Sequence, residues 1–297
     1  MNNTQIKDLI VIGNGVAGLS AAREGLRAGL SISCLEKEMF GGLIINVNKL
    51  HGKIGGSGVE IASRWVDEIA QLGAEFAMEE VVSIEHVGGT LLVTSDSGRY
   101  RSKAVILACG ASLKKLSIPG EAELEYKGIS HCADCDGPMF QGQDVVVVGG
   151  GDSALQSAIV LAQFCNRIHL IHRGDCFRAQ QHLIATVQAT RNIEIHWNNE
   201  VKEVLGDNSV EGVRVGEEVI PCKGFFVYVG LQPTSKFLPD AIALDERGAV
   251  IVSDSLETTM NGVFAAGVVR AGCGGMVEDA VADGIAAARA VCARNVV

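Results

Sequence analysis

No stretch of this 297-residue chain approaches the roughly 20 consecutive apolar residues that a bilayer-spanning helix requires. The first apolar run comes at once and ends in a glycine turn, not in a secretory cleavage pattern, so the chain is expected to be cytoplasmic. Proline is scarce, at 5 residues, and aromatic residues make up 5% of the chain, a composition that suits glycine-turned α/β folds. Basic residues are in deficit: 25 Lys+Arg face 35 Asp+Glu, for a formal net charge of −10. Phosphate backbones need clustered Lys and Arg, so nucleic acid is excluded as a partner. No block of like charges forms an interaction tail. The nine cysteines are odd in number and scattered, with a single close pair. That excludes a disulfide scaffold and leaves the pair as catalytic or metal-binding.

What is abundant is glycine, 36 residues, within a 47% hydrophobic chain. At roughly 100–200 residues per domain the length suggests two domains. One device occurs twice, over residues 8–38 and 144–175. Each copy reads as a short apolar strand, a glycine turn, an Ala-rich helix and a second apolar strand, the βαβ unit of a dinucleotide-binding fold. Further apolar runs at 104–111, 225–230 and 262–267 end in small residues that let the chain turn close to a ligand. Residues 81–101 alternate around Gly88-Gly89 and Ser97-Gly98, which predicts a β-meander. Residues 276–294 predict a closing helix, with an internal glycine costing it about 1 kcal/mol. Pro119-Gly120 and Leu238-Pro239 read as hinges. The expected fold is α/β, two Rossmann-like three-layer domains with the second (116–241) inserted into the first (1–115 and 242–297).

Gly13, Gly15 and Gly18 form a GxGxxG directly between strand and helix. The first permits the tight turn, the second lets a pyrophosphate approach, and the third lets helix and strand pack closely. Glu36 lies 18 residues beyond Gly18 at the next strand end, where an acid binds ribose hydroxyls. Gly149, Gly151 and Ala154, with Ser153, form a second, GxGxxA fingerprint. Its following strand ends in His172 and Arg173, with Arg178 nearby, in place of an acid. Guanidinium groups there favour a 2′-phosphate, hence NADP over NAD. Cys132-Ala133-Asp134-Cys135-Asp136 is a CxxC followed by an acid, flanked by His131. Such a pair can cycle between dithiol and disulfide, and Asp136 is placed to move a proton to or from the leaving thiolate. No metal site is expected, because no second CxxC or HxxxH supplies further ligands. The remaining cysteines (34, 109, 165, 176, 222, 273, 292) are expected to be mostly buried, with Cys273 in a glycine-rich stretch that could adjoin a cofactor. Trp65 and Trp197 read as packing residues.

With these motifs in order, the chain resembles the low-molecular-weight thioredoxin reductases over nearly its whole length. The resemblance rests on GNGVAG with Glu36-Lys37, on Gly41-Gly42, on ACGA around Gly110, and on CADCDG, GGGDSA, HRGDCFRA, FFVYVGLQP and NGVFAAG ending at Gly267. It implies a homodimer whose discontinuous domain holds FAD and whose inserted domain holds NADPH and the CxxC. Electrons would pass from NADPH through FAD to Cys132/Cys135 and on to a thioredoxin-like protein or a small-molecule disulfide. By the same resemblance Cys135 faces the flavin, Cys132 attacks the partner, Asp136 is the acid/base, and the inserted domain rotates between two settings. The last helix would point its N-terminus at the flavin. Departures from the family are Leu43 for Gln, Gly174 for Arg, Val268 for Asp, Gly275-Met276 for Arg-Gln, and a distinct segment IINVNKLHGKIG. They leave two alternatives: a relative with another donor or direction (a small-molecule dithiol oxidase or a ferredoxin-fed reductase), and a non-catalytic nucleotide-binding or redox-sensing protein.

Overall fold

The apolar run that opens the chain becomes β1 (Asn2–Ile12), buried on both faces from Leu9 onward. In this computed structural model residues 2–47, 50 and 55–295 are described. A glycine turn carries β1 into α1 (Val16–Arg27), and β2 (Ile32–Glu36) returns parallel to β1, with Leu9 opposite Ile32 and Ile12 opposite Leu35. A 3-10 turn (Gly42–Asn46) leads on to α2 (Gly58–Gln71). Ser57 and Glu60 start α2 as a reciprocal capping box, each side chain bonding the other residue's backbone N–H. β3 (Glu75–Met78) then pairs with β2. β4 (Val81–Val87), β5 (Thr90–Ser95) and β6 (Arg99–Leu107) form the meander, turning at Gly88 and Gly89, both at positive φ.

The chain leaves this unit through β7 (Ala111–Leu113). β8 (Ile129–Ser130), α3 (Ala133–Asp136) and β9 (Asp144–Gly149) follow, then α4 (Asp152–Leu161), β10 (Arg167–His172), α5 (Gln181–Ala189) and β11 (Ile193–Trp197). A three-stranded antiparallel sheet comes next, β12 (Val201–Leu205), β13 (Gly212–Val215) and β14 (Glu218–Pro221). β15 (Gly224–Tyr228) closes a parallel sheet of order β11-β10-β9-β15-β8. The return runs through β16 (Leu231–Pro233), which pairs with β7, to β17 (Val263–Ala265) beside β6 and finally α6 (Val277–Asn295).

Two compact units result: Met1–Ser112 with Gln232–Val297, and Leu113–Leu231. In each, one parallel sheet is buried on both faces, so its strands read as continuous apolar runs. In the first unit Leu9, Val11, Ile106 and Phe264 face α1, α2 and α6, while Ile10, Ile12, Val105 and Leu107 face the meander. In the second unit Phe226 faces the helical side with Leu155 and Leu161, and its neighbour Phe225 faces the small antiparallel sheet with Val204 and Val213. The glycine inside α6 has a packing reason. A Cβ on Gly284 would lie 2.1 Å from the Ala17 carbonyl oxygen, so only glycine lets α6 cross α1 this closely.

The crossings fall at Ser112/Leu113 and Leu231/Gln232, not at 115/116 and 241/242. Neither proline-containing pair is a hinge between units. Pro119 accepts a hydrogen bond from Val204 N, and a Cβ on Gly120 would meet Val204 O at 2.0 Å, so this turn is packed inside the second unit. The stretch around Leu238-Pro239 is tied into the first unit by Ser235 Oγ donating to Gly248 O and Ile242 N donating to Pro239 O. Of the seven other cysteines, only Cys34, Cys165 and Cys222 are buried, fewer than expected, and Cys176 is exposed because it sits in the loop after β10. Trp65 is buried beneath the Arg23 guanidinium, and Trp197 packs on Phe177.

Candidate active site

The first glycine turn is built for close backbone approach. Gly13 sits at φ 89°, and a Cβ there would meet Ala108 O at 2.5 Å. Gly18 allows less still: a Cβ would lie 1.9 Å from Gly13 O. Gly15 is the N-cap of α1, extended and without any side-chain cap, so the first N–H groups of the helix remain available to an anion. Gly41 N donates to Asn14 O, and Gly42 stacks against Gly15, which brings the second glycine pair to the fingerprint. The Glu36 carboxylate accepts from Asn14 N at 2.6 Å, Lys37 N at 2.9 Å and Glu38 N at 3.1 Å, so three backbone donors fix it beside the turn. Asn14 is fully buried, and its Oδ1 has no hydrogen-bond partner among the described residues. An orphaned buried acceptor costs free energy unless a ligand satisfies it. These residues fit a dinucleotide. Lys37 is turned outward into an ion pair with Glu80. Gly267 lies against Ala17 and donates its N–H to Asp283, which also binds Arg270. Gly110, at φ 62° with open space around its Cβ position, stands where the chain leaves the unit.

The second turn repeats the design with one addition. Gly149 approaches Tyr228 O and Ala154, while Gly151 caps α4 without a side chain and faces open space, and Ser153 is exposed on the first turn. The addition is His172. Its ring lies under Gly150, 2.2 Å from where a Cβ would be, and its Nε2 bonds Cys176 O at 3.0 Å. His172 is buried, so it supports the loop from below. Arg173 and Arg178 are exposed, and no ion pair engages either guanidinium among the described residues. Arg178 N also anchors the loop by donating to Gly150 O at 2.8 Å. Gly174 lies beside the His172 ring.

Cys132 and Cys135 form a disulfide across one turn of α3. Cys135 N donates to Cys132 Sγ at 3.3 Å, which supplies a donor to the sulfur that takes negative charge when the bond opens. Cys135 is exposed and Cys132 half-buried. Asp136 Oδ2 accepts the Ser130 hydroxyl at 2.6 Å, and Ser130 Oγ accepts Cys132 N–H at 3.1 Å. Ser130 thus orients both the acid and the first cysteine. Tyr228 donates no proton readily, since burial raises its pKa, but its hydroxyl oxygen accepts Ala133 N–H at 3.2 Å and so pins the turn. His131 Nε2 is paired with Glu125 Oε1 at 2.9 Å. The sequence pattern named Asp136 and missed Ser130, Tyr228 and Gly150. The single polar residue in the apolar run 225–230 was the available signal for Tyr228, whereas Ser130 and Gly150 carried none.

Of the departures, Leu43 is exposed, Val268 is half-buried in the 3-10 turn Gly267–Val269, and Met276 is exposed just before α6. Cys273 is half-buried, and desolvation pushes its thiol pKa up. Residues 48–49 and 51–54 of the IINVNKLHGKIG segment lie outside the described residues.

The family model for pyridine nucleotide-disulphide oxidoreductases matches residues 7–286. The chain is 36% identical over 293 residues to the thioredoxin reductase of Treponema pallidum (strain Nichols), covering 95% of each chain. With the thioredoxin reductase of Bacillus subtilis (strain 168) identity is 34% over 301 residues, 98% of this chain and 95% of the relative. Among solved structures, the T. acidophilum thioredoxin reductase superposes with a TM-score of 0.89 at 32% identity, covering 98% of this chain and 99% of that one. The Lactococcus lactis thioredoxin reductase in its FR conformation gives 0.88 at 33% identity, covering 96% of this chain and 97% of that one. In this family NADPH supplies reducing equivalents and FAD relays them to a disulfide. The loops, the cysteine pair and these likenesses agree: the chain belongs to the pyridine nucleotide-disulphide oxidoreductase family and, within it, groups with the low-molecular-weight thioredoxin reductases as an FAD- and NADPH-dependent disulfide oxidoreductase.

Proposed function

We propose that this chain is a thioredoxin reductase, delivering electrons from NADPH through the Cys132/Cys135 pair to the disulfide of a thioredoxin-like protein. The observation that carries the proposal is the Ser130–Asp136–Cys132 arrangement, an oriented acid within the turn that holds the redox pair. In the reduced pair Cys132 attacks the partner disulfide and releases one partner thiolate, which Asp136 protonates. Cys135 then displaces the partner from the mixed disulfide, leaving the partner as a dithiol and Cys132–Cys135 oxidised. Gly13, Gly15, Gly18, Glu36, Gly41, Gly42, Gly110 and Gly267 cradle FAD, with Lys37 on its margin. Gly149, Gly151, Ser153 and Ala154 take the NADPH pyrophosphate, Arg173 and Arg178 its 2′-phosphate, and His172 supports the loop. The molecule works as a cytoplasmic homodimer. The names of the curated relatives support the partner assignment.

Anaerobic titration with NADPH, followed by addition of oxidised thioredoxin, tests this reading. Flavin absorbance bleaches with NADPH and recovers as thioredoxin dithiol forms, and the Cys132→Ser/Cys135→Ser variant keeps the bleaching but loses the recovery. Thioredoxin reduction by that variant refutes the proposal. Recovery with a small-molecule disulfide but not with thioredoxin moves the partner to that class.

A further inference from the structure

Among the described residues one cluster of potential metal ligands lies outside the dinucleotide loops and the cysteine pair: His169 on β10 with Glu194 and His196 on β11. β10 and β11 run parallel with His169 opposite Glu194, so strand alternation puts all three on one face. It is the face opposite α4 and α5, since Ile168 and Leu170 fill the helical side. His169 Nδ1 and His196 Nε2 are 3.1 Å apart. Glu194 Oε2 is 3.8 Å from the former and Glu194 Oε1 is 3.7 Å from the latter.

The two rings share a hydrogen bond, whereas the carboxylate stands beyond hydrogen-bond distance of both. A plain hydrogen-bonded network would draw the carboxylate to about 2.8 Å from an imidazole, and contacts beyond about 3.5 Å are not hydrogen bonds. Ligand atoms that share a tetrahedral ion at about 2.1 Å each stand roughly 3.4 Å from one another. The 3.1 Å between the rings and the 3.7 and 3.8 Å approaches, one to each carboxylate oxygen, lie on either side of that value, and one ligand atom from each residue falls within 4.8 Å of the others. We propose that His169, Glu194 and His196 form a three-ligand site for a borderline transition-metal cation such as Zn²⁺, with solvent completing the tetrahedron.

Both imidazole nitrogens and the carboxylate suit such an ion, and His₂–carboxylate with one open position is a set zinc adopts. Glu194 is largely exposed, leaving room for the solvent ligand. Arg167 stands 3.5 Å from Glu194 Oε2 and steadies the carboxylate from outside. A bound ion ties edge strand β11 to β10. The far end of β11 carries Trp197, which packs against His172 under the second glycine turn.

The test is a Co²⁺ titration of the flavin-loaded full-length protein with Cys132–Cys135 kept oxidised, followed by Zn²⁺ displacement. One equivalent binds, giving a visible d–d band without a thiolate-to-cobalt charge-transfer band, and Zn²⁺ removes it. His196→Ala and Glu194→Gln each weaken binding at least about tenfold, while flavin content and NADPH-driven turnover stay at wild-type level. Both positions are partly exposed, so neither variant depends on a core substitution folding. A charge-transfer band, or unchanged affinity in both variants, assigns the ion to free cysteines and overturns the proposal. Absence of uptake from excess Co²⁺ overturns it equally.

Discussion

Replacing Gly150 by Ala probes how the second glycine turn, proposed above to bind NADPH, is supported. Gly150 lies outside the left-handed region, so alanine is conformationally acceptable and the only objection is steric. The added Cβ would stand 2.2 Å from His172 Cε1 and 2.3 Å from Nδ1. Ordinary carbon contacts begin near 3.5 Å, so the ring or the loop must move by roughly 1 Å. The ring has little freedom: Phe177 and Trp197 pack on it at centroid distances of 5.5 Å and 5.9 Å, and Nε2 is tied to Cys176 O. Overpacking of this kind costs about 1–3 kcal/mol, and losing the hydrogen bond about 0.5–1.5 kcal/mol. If the loop yields and about 2 kcal/mol of the penalty falls on cofactor binding, the NADPH dissociation constant rises about 30-fold. Anaerobic rapid mixing over a range of NADPH concentrations measures this, with FAD content as the control for the first unit. Removing the ring as well, in Gly150→Ala/His172→Ala, should recover part of the loss through a coupling above about 1 kcal/mol. Wild-type NADPH saturation in Gly150→Ala, or an equal defect with and without the His172 ring, refutes the reasoning.

Arg173→Ala and Arg178→Ala should each weaken NADPH about tenfold, the value of one hydrogen bond to a charged group, and leave NADH affinity unchanged. Equal losses for both nucleotides would remove the 2′-phosphate assignment. Asp8 accepts from Lys103 Nζ at 2.7 Å and from Ser31 N at 2.9 Å, and these contacts, Lys103 first, hold its pKa near 2 against an ordinary 3.8. Its folded-state pKa is depressed, so the stability it contributes is present in full above about pH 4 and is lost as pH falls through about 2. Asp8→Asn should therefore cost about 1 kcal/mol at pH 7, with the gap narrowing below pH 4 in urea melts; a pH-independent gap contradicts this. Phe226→Ala removes a fully buried ring that meets Phe140 edge-on at 5.5 Å, and should destabilise the second unit by about 3–5 kcal/mol in denaturant melts. A loss under about 1 kcal/mol would mean that this core can collapse around the gap.

The glycine turns were legible because their geometry is local. Gly18 touches the Gly13 backbone within a single βαβ unit whose strand, turn and helix are contiguous in the chain, whereas the contact of Gly13 with Ala108 comes from a later strand. The cysteine pair was legible for the same reason, since a disulfide across one helical turn needs two residues three apart. The unit boundaries were harder. Pro119-Gly120 and Leu238-Pro239 look alike as turn signals, yet Pro119 is stapled into its unit by Val204, far along the chain, and the stretch around Leu238-Pro239 by local bonds and by Ser235 to Gly248. The role of His172 also escaped the sequence, which offered it as a nucleotide contact. Its position beneath Gly150 depends on where β10 lies relative to the loop after β9.

What the sequence determined by itself was the order of βαβ units, the two glycine turns and the cysteine pair, all marked by patterns spanning a few residues. Only the tertiary structure decided which groups meet across strands. Ser130 comes to Asp136, Tyr228 comes to the turn of Ala133, and His169 meets Glu194 and His196 through the register of two parallel strands. Parallel strands need a crossover between them, so neighbours in space are separated in the chain by a helix whose length no ligand spacing rule encodes. A search for CxxC or HxxxH therefore finds sites made on one element and passes over those assembled by the sheet.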